Sequence, residues 1–247
     1  SSGNGRDISL SGTYSRNQTE LLFNQTETNK ALSISSGSAA TASSWVTTTT
    51  GISLSLMWKW TANSGNQYIF SSGTFGSASV GNHDFYYSKS NDAFIFTYNK
   101  SDGSGAASES LSWIPEIGRT YHIAVVNDYS AKTVKFFIDG RLMNTLTQAI
   151  TPFALTSQSA SFFTGLNSTI DELGIFPLLT DTQIRDQFAA SRVADTSATT
   201  YFASTSGSLY GTGATGAPLE IHTALNFSLL TPGKSLKLKN GTYPGIY

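Results

Sequence analysis

Between residues 52 and 60 large apolar side chains alternate with others: Ile52, Leu54, Leu56, Trp58 and Trp60 on one set of positions, with the small Ser53 and Ser55 between. A period of two marks a strand with one face toward a core. The texture recurs along the chain. Ile8 to Tyr14, Glu20 to Asn24, Ala31 to Ser35, Tyr68 to Phe70, Phe85 to Tyr87 and Ala93 to Tyr98 all read as strands. Turn chemistry separates them, as at Asn91-Asp92 and Asp102-Gly103. The clearest stretch is a meander. His122 to Asn127 and Thr133 to Asp139 flank the polar turn Asp128-Tyr129-Ser130-Ala131, and Asp139-Gly140 then feeds Arg141 to Leu146. Asp-Gly between two apolar runs is a strong hairpin signal. Short strands at regular spacing with turns between them predict an all-β sandwich.

One helix is predicted after the strands. Thr180 is followed three residues later by Gln183, the spacing of a capping box. Leu179 and Ile184 take the staple positions, and Ile184 shares a face with Phe188, so the helix runs to about Ala190. The polar run 191–200 reads as a linker, as does 1–7. The texture then changes. Tyr201 to Ser204 is a short strand, followed by a glycine-rich stretch. Pro218 to Leu230 carries Ile221, Leu225 and Leu229 at helical spacing, which predicts a short amphipathic helix. Leu236 and Leu238 alternate with lysines as a last strand with both leucines facing inward. The expected organisation is a linker over 1–7, a sandwich over 8–190, a second linker over 191–200 and a C-terminal segment over 201–247.

Composition narrows the function. Of 247 residues only 13 % are charged, and the net charge is −1, so the basic footprint of a nucleic-acid binder is missing. There is no cysteine, which excludes disulfides and thiolate metal sites. Burial alone must hold the core, and 15 Phe, 11 Tyr and 4 Trp supply the surface for it. No apolar run approaches the roughly 18 residues of a membrane span, so no membrane insertion is expected. A hydroxyl-rich, charge-poor all-β chain suits a secreted or particle-surface protein.

The motifs, taken in order, resemble the laminin-G-like, concanavalin-A-like lectin jelly rolls. Gly118 with Tyr121-His122, the run Ile123 to Asp128, the hairpin Phe136-Phe137-Ile138-Asp139-Gly140, and Ile170-Asp171-Glu172-Leu173-Gly174-Ile175-Phe176 carry the likeness. Upstream, Leu22, Phe23, Asn24, Leu32 and Ile34 fit, but Gln25 stands where the family has glycine. The tail, from Tyr201 through Pro218 to the Pro232–Tyr243 stretch, resembles the opening segment of a right-handed parallel β-helix such as polysaccharide lyases or tailspikes carry. One solenoid strand cannot bury its apolar side alone, so the chain is expected to be a fragment of a larger protein.

The jelly-roll resemblance implies a structural calcium ion held by Asp171, with Asn24 and Glu27 from the upstream turn. Calcium needs six to eight hard oxygen ligands. The competing reading of Asp171 is a turn cap or an acceptor for backbone N–H groups at the sandwich rim. Hydrolysis is not expected of this chain. The glucanase pattern of carboxylates at alternate positions is not met, because Thr169 stands two residues before Asp171 and the adjacent Asp171 and Glu172 point to opposite faces of a strand. The histidines His83, His122 and His222 are scattered, without zinc spacing, and His122 reads as core. Aromatics are the remaining lead, since sugars stack on exposed rings. Tyr86, Tyr87, Trp113, Trp60 and His83 are the candidates. These readings make the chain a non-catalytic glycan-binding module of a secreted or virion-surface protein, its partner a polysaccharide or cell-surface glycan. A purely structural or adhesion domain of a phage or virus fibre is the rival. A lyase or hydrolase whose active site lies in a β-helix outside this sequence is the second alternative.

Overall fold

In the computed structural model the described residues are 8–18, 31–41, 46–60, 65–72, 82–152, 155–158, 160–190, 200–204, 218–220 and 233–241. The strands of the large sandwich are β1 (Ile8–Gln18), β2 (Ala31–Thr41), β3 (Val46–Thr48), β4 (Gly51–Trp60), β5 (Asn66–Ser72), β6 (His83–Ser88), β7 (Ala93–Asn99) and β8 (Ala106–Ser112). They continue as β9 (Thr120–Asp128), β10 (Thr133–Ile138), β11 (Arg141–Thr147), β12 (Leu155–Gln158) and β13 (Ala160–Phe176), and the helix α1 (Asp181–Ala190) follows. One antiparallel ladder runs β11-β10-β9-β4-β13-β5-β6-β7-β8, while β2 joins β13 and β1, and β3 pairs with β12.

The seam is β13. Its Ala160–Phe162 portion pairs with β5, and its Ser168–Phe176 portion pairs with β4. The two arms of the ladder close on one core. Leu54, Leu56, Trp58, Val125 and Phe136 from one arm share a buried cluster with Phe70, Phe85, Phe94 and Phe96 from the other. Rings meet across it: Trp58 lies 5.4 Å from Phe94 edge-on, and Phe85 lies 6.4 Å from Phe136. Each fully buried aromatic contributes about 1.5–3 kcal/mol through area removed from water, which lets a chain without disulfides hold this sandwich.

The arm β4-β9-β10 is buried on its second face as well. There Ala124, Val126 and Phe137 pack with Ile184 of α1 and with Leu178 and Leu179 before it. The small serines of β4 make this possible. Ser53 Oγ accepts the Leu179 N–H at 2.9 Å, and Ser55 Oγ shares a 2.9 Å hydrogen bond with His122 Nε2. Gly51 matters for the same closure: a Cβ there would lie 2.4 Å from Leu178 Cδ2. The helix starts as its capping box predicts. Thr180 Oγ1 accepts the Gln183 N–H, and Gln183 Oε1 accepts the Thr180 N–H in return. Ile184 and Phe188 are both buried.

The meander is present as β9, β10 and β11, and Asp139 and Gly140 have φ of 51° and 71°, the left-handed pair that a tight two-residue hairpin needs. The expected strand over Phe85 to Tyr87 is longer, reaching His83 and Ser88 as β6. The expected Glu20–Asn24 strand lies outside the described residues.

The chain divides into two compact units, residues 1–21 with 28–184, and residues 22–27 with 185–247. This division falls between Ile184 and Arg185, and residues 191–199 of the expected linker lie outside the described residues. The second unit holds β14 (Thr200–Ser204), β15 (Leu219–Glu220) and β16 (Ser235–Leu238) as a parallel sheet in the order β15-β14-β16. Two expectations are corrected here. Leu219–Glu220 is strand, not the first turn of a helix, and the rest of the expected Pro218–Leu230 helix lies outside the described residues. Leu236 is half-buried but Leu238 is 54 % exposed, so the two leucines do not both face inward. Among the described residues no helix is long and apolar enough to cross a membrane.

Candidate functional site

On the outer face of the β5–β8 arm half-buried aromatic and polar groups gather around the buried Ile95. Alternation along β6 sends Phe85 and Tyr87 to the core and Asp84 and Tyr86 outward. Register then builds two rows. Tyr68, Tyr86, Ile95 and Ser110 lie opposite one another across β5, β6, β7 and β8, and beside them run Ser71, Asp84, Thr97 and Ser108. Tyr68 and Tyr86 are half-buried, with ring centroids 4.5 Å apart and planes inclined by 27°. They form one stacked aromatic platform.

Polar groups flank it. The Ser71 hydroxyl donates to Asp84 Oδ1 at 2.5 Å, and the Asn66 amide donates to Tyr68 Oη at 3.5 Å. Thr97 and Ser108 hydroxyls are linked at 2.9 Å. Burial raises the Asp84 carboxyl above its ordinary value, opposed by the Ser71 hydrogen bond. Burial also raises the Tyr68 phenol; the Asn66 bond lowers it, while Tyr86 and the Asp84 charge add to the rise.

Chemically, such a face offers a stacked aromatic pair bordered by hydroxyls, an amide and one carboxylate. That set suits an uncharged polar ring compound with C–H groups on one side and hydroxyls at its edge. Two carboxylates flanking a glycosidic bond, about 5 Å or about 6.5–9.5 Å apart, are needed for hydrolysis. Among the described residues of this face Asp84 is the one carboxylate.

The five aromatic and imidazole residues singled out in the sequence fall into two groups. Tyr86 belongs to the platform. Trp60, Tyr87 and His83 are at most 1 % exposed and present no ring face to a ligand, which corrects their assignment. Trp60 stacks on Trp58 at 5.9 Å and meets Tyr87 edge-on at 5.0 Å. The Tyr87 hydroxyl donates to Asp92 Oδ1 at 3.3 Å, and burial with the neighbouring Asp92 charge raises its phenol strongly. His83 lies between Phe96 and Tyr129 at 5.8 and 5.6 Å. Trp113 is half-buried at the sandwich rim, 5.5 Å from Phe94 and 4.7 Å from Tyr121, and its indole is part of the same aromatic network.

Tyr68, Asp84 and Asn66 were missed. Simple alternation pairs Tyr68 with Phe70 on one face, but β5 shifts register against β6 between these two residues, and the bulge turns Tyr68 outward. No sequence signal marks that bulge. Asp84 was legible in principle, two positions from Tyr86 on the same face.

Asp171 is buried, and its Oδ1 accepts the Glu172 N–H at 3.0 Å. It sits where β13 shifts against β4, between Asp171 and Gly174, with Glu172 at a φ of 50°. Strict opposition of Asp171 and Glu172 across a regular strand is thus replaced by a bulge, although Asp171 is still buried and Glu172 exposed. Asn24 and Glu27 lie outside the described residues. Among the described residues no three carboxylate, imidazole or thiol groups gather to hold a metal.

Residues 33–185 match the family profile of the concanavalin A-like lectin/glucanases superfamily. The chain belongs to this superfamily. Among solved structures it is similar to botulinum neurotoxin type C, which depends on interaction with two ganglioside molecules to enter cells, at 17 % identity and a TM-score of 0.57 over 76 % of this chain and 47 % of that one. It is similar to the binding domain of botulinum neurotoxin DC in complex with rat synaptotagmin II, at 14 % identity and a TM-score of 0.55 over 77 % of this chain and 48 % of that one. It is similar also to the serotype G binding domain, at 15 % identity and a TM-score of 0.55 over 76 % and 47 %. The chain spans about half the length of these structures, and at such identities the likeness shows the fold. No curated protein matches the chain.

Proposed function

We propose that this chain is a non-catalytic carbohydrate-binding module that seats a saccharide on the outer face of the β5–β8 arm. The observation that carries the reading is the stacked Tyr68–Tyr86 pair with Asp84 beside it. The apolar face of a sugar ring lies on the tyrosines, and its edge hydroxyls meet the Asp84 carboxylate and the Asn66 amide. The superfamily includes both lectins and glucanases, and the lone carboxylate of this face favours the lectin side. Two of the similar structures are named with glycan ligands, gangliosides in one and SialylT in the other, which supports a saccharide on this fold without locating it here. The setting is a secreted or particle-surface protein, in keeping with the low charge and abundant hydroxyl side chains.

A glycan array probed with the chain and with the Tyr68→Ala/Tyr86→Ala double variant tests the reading. The chain should retain a set of saccharides that the variant, melting at the same temperature, no longer holds. Retention by both would place the saccharide elsewhere on the chain and overturn this site, and retention by neither favours the structural or adhesion alternative. Release of reducing sugar from any retained polysaccharide would overturn the non-catalytic assignment.

A further inference from the structure

Resting on the saccharide-binding reading of the Tyr68–Tyr86 face, we infer that this site selects uncharged saccharides and rejects those carrying carboxylate or sulfate, with Asp84 as the residue that enforces the choice. The inference comes from the charges placed around the platform. An anionic sugar bound at a protein surface takes its affinity from arginine or lysine, through charge-assisted hydrogen bonds. The two rows of outward residues on β5–β8 contain no such cation, and their one charge is the Asp84 carboxylate. The chain segments leading into the platform add none: residues 61–65 and 73–82, on either side of β5, contain no charged residue.

The cations nearest in sequence are otherwise placed. Lys89, in the β6–β7 turn, is paired with Asp92 at 2.5 Å. Lys100 lies after β7, where its N–H donates to Gly105 O and its charge acts on Asp102. A sugar acid on the tyrosines would set its negative charge against Asp84, with no arginine or lysine in the described rows of β5–β8 to oppose it. A neutral sugar instead donates a hydroxyl to the same carboxylate, and a hydrogen bond to a charged acceptor is among the stronger kinds. One residue thus attracts the first class and repels the second, which is how specificity arises from a repulsive element as well as an attractive one.

The experiment compares matched pairs, such as lactose with sialyllactose and a neutral glucan oligomer with its uronic-acid counterpart, by array and then by titration calorimetry. Binding that disappears in the Tyr68→Ala/Tyr86→Ala variant should be confined to the neutral member of each pair and should change little with added salt. Asp84→Asn should weaken the neutral ligand by roughly tenfold or more and narrow the gap to the acidic one. Should Asp84→Asn fail to fold, the neutral–acidic comparison and the salt response of the unsubstituted chain decide the matter alone. Tyrosine-dependent binding that is as tight or tighter for the acidic members overturns the selectivity and leaves the saccharide site standing. Binding that ignores the tyrosines overturns both.

Discussion

Acid should unfold this protein largely through one histidine. His122 is buried on the second face of β9, its Nε2 bonded to Ser55 Oγ and its main-chain N–H donated to Asp139 Oδ1. Burial lowers its imidazole from the usual 6.5 to about 4. Between those values the unfolded chain binds the proton and the folded chain does not, so stability falls as pH falls. The full contribution is present above pH 6.5 and drains away toward pH 4. Integrating the linkage between 6.5 and about 4 gives a loss of about 2 kcal/mol by pH 5 and about 3 kcal/mol by pH 4. That is a large share of the roughly 5–15 kcal/mol typical of a domain. Asp84 and Glu109, raised by burial, act in the opposite direction, and Asp92 and Asp102 act in the same one. Comparison with His122→Gln cancels them, because glutamine can keep a bond to Ser55 but does not titrate. Urea unfolding of both proteins from pH 4 to pH 8 is the assay. The stability difference should swing toward the variant by about 3 kcal/mol from pH 7 to pH 4. A flat difference would show that His122 takes up its proton in the folded state at no cost, and the argument from burial would fail.

Three further outcomes are expected. Thr180→Ala removes the helix cap and should cost about 1 kcal/mol, lowering Tm by roughly 2–4 °C in a scanning calorimeter; an unchanged Tm would mean the cap is replaced by solvent. Gly51→Ala drives a Cβ to within 2.3 Å of the Asn127 carbonyl oxygen, and the forced shift should destabilise by about 1–3 kcal/mol in denaturant titration, against no change if the strand can move aside. Calcium held by Asp171 with Asn24 and Glu27 would stabilise only the folded chain, by roughly 2.7 kcal/mol at a hundred times Kd. Chelator should then lower Tm and Asp171→Ala should abolish the difference, whereas coincident melts of stripped and loaded protein remove calcium from the account.

The architecture was legible because its signals are local. The Ile52–Trp60 alternation, the Asp139-Gly140 turn and the Thr180/Gln183 cap each depend on residues adjacent in sequence, and each reappears in β4, the β10–β11 hairpin and α1. The site was less legible because it depends on which face of a strand reaches solvent. Trp60, Tyr87 and His83 are aromatic or polar in sequence, yet all three lie on the core-facing side of β4 and β6 and are buried. Tyr68 reaches the surface only through a bulge in β5, a feature set by pairing with β6 rather than by its own neighbours. The tail misled for a related reason. The i+4 spacing of Ile221, Leu225 and Leu229 suggested a helix from Pro218, but Leu219–Glu220 is drawn into a strand by parallel pairing with β14, a long-range contact that local periodicity does not encode.

Mapping the bound saccharide by amide chemical shifts tests the central claim most directly. A uniformly ¹⁵N-labelled sample, titrated with a neutral oligosaccharide retained on the array, should show its largest shifts at Asn66, Tyr68, Asp84, Tyr86 and Thr97, on the outward rows of β5 to β7. Tyr86→Ala should weaken that titration by about tenfold, as loss of about 1.4 kcal/mol of stacking requires. Shifts gathered instead around Trp113 to Arg119 at the rim, with Tyr86→Ala binding as before, would place the saccharide elsewhere and contradict the site.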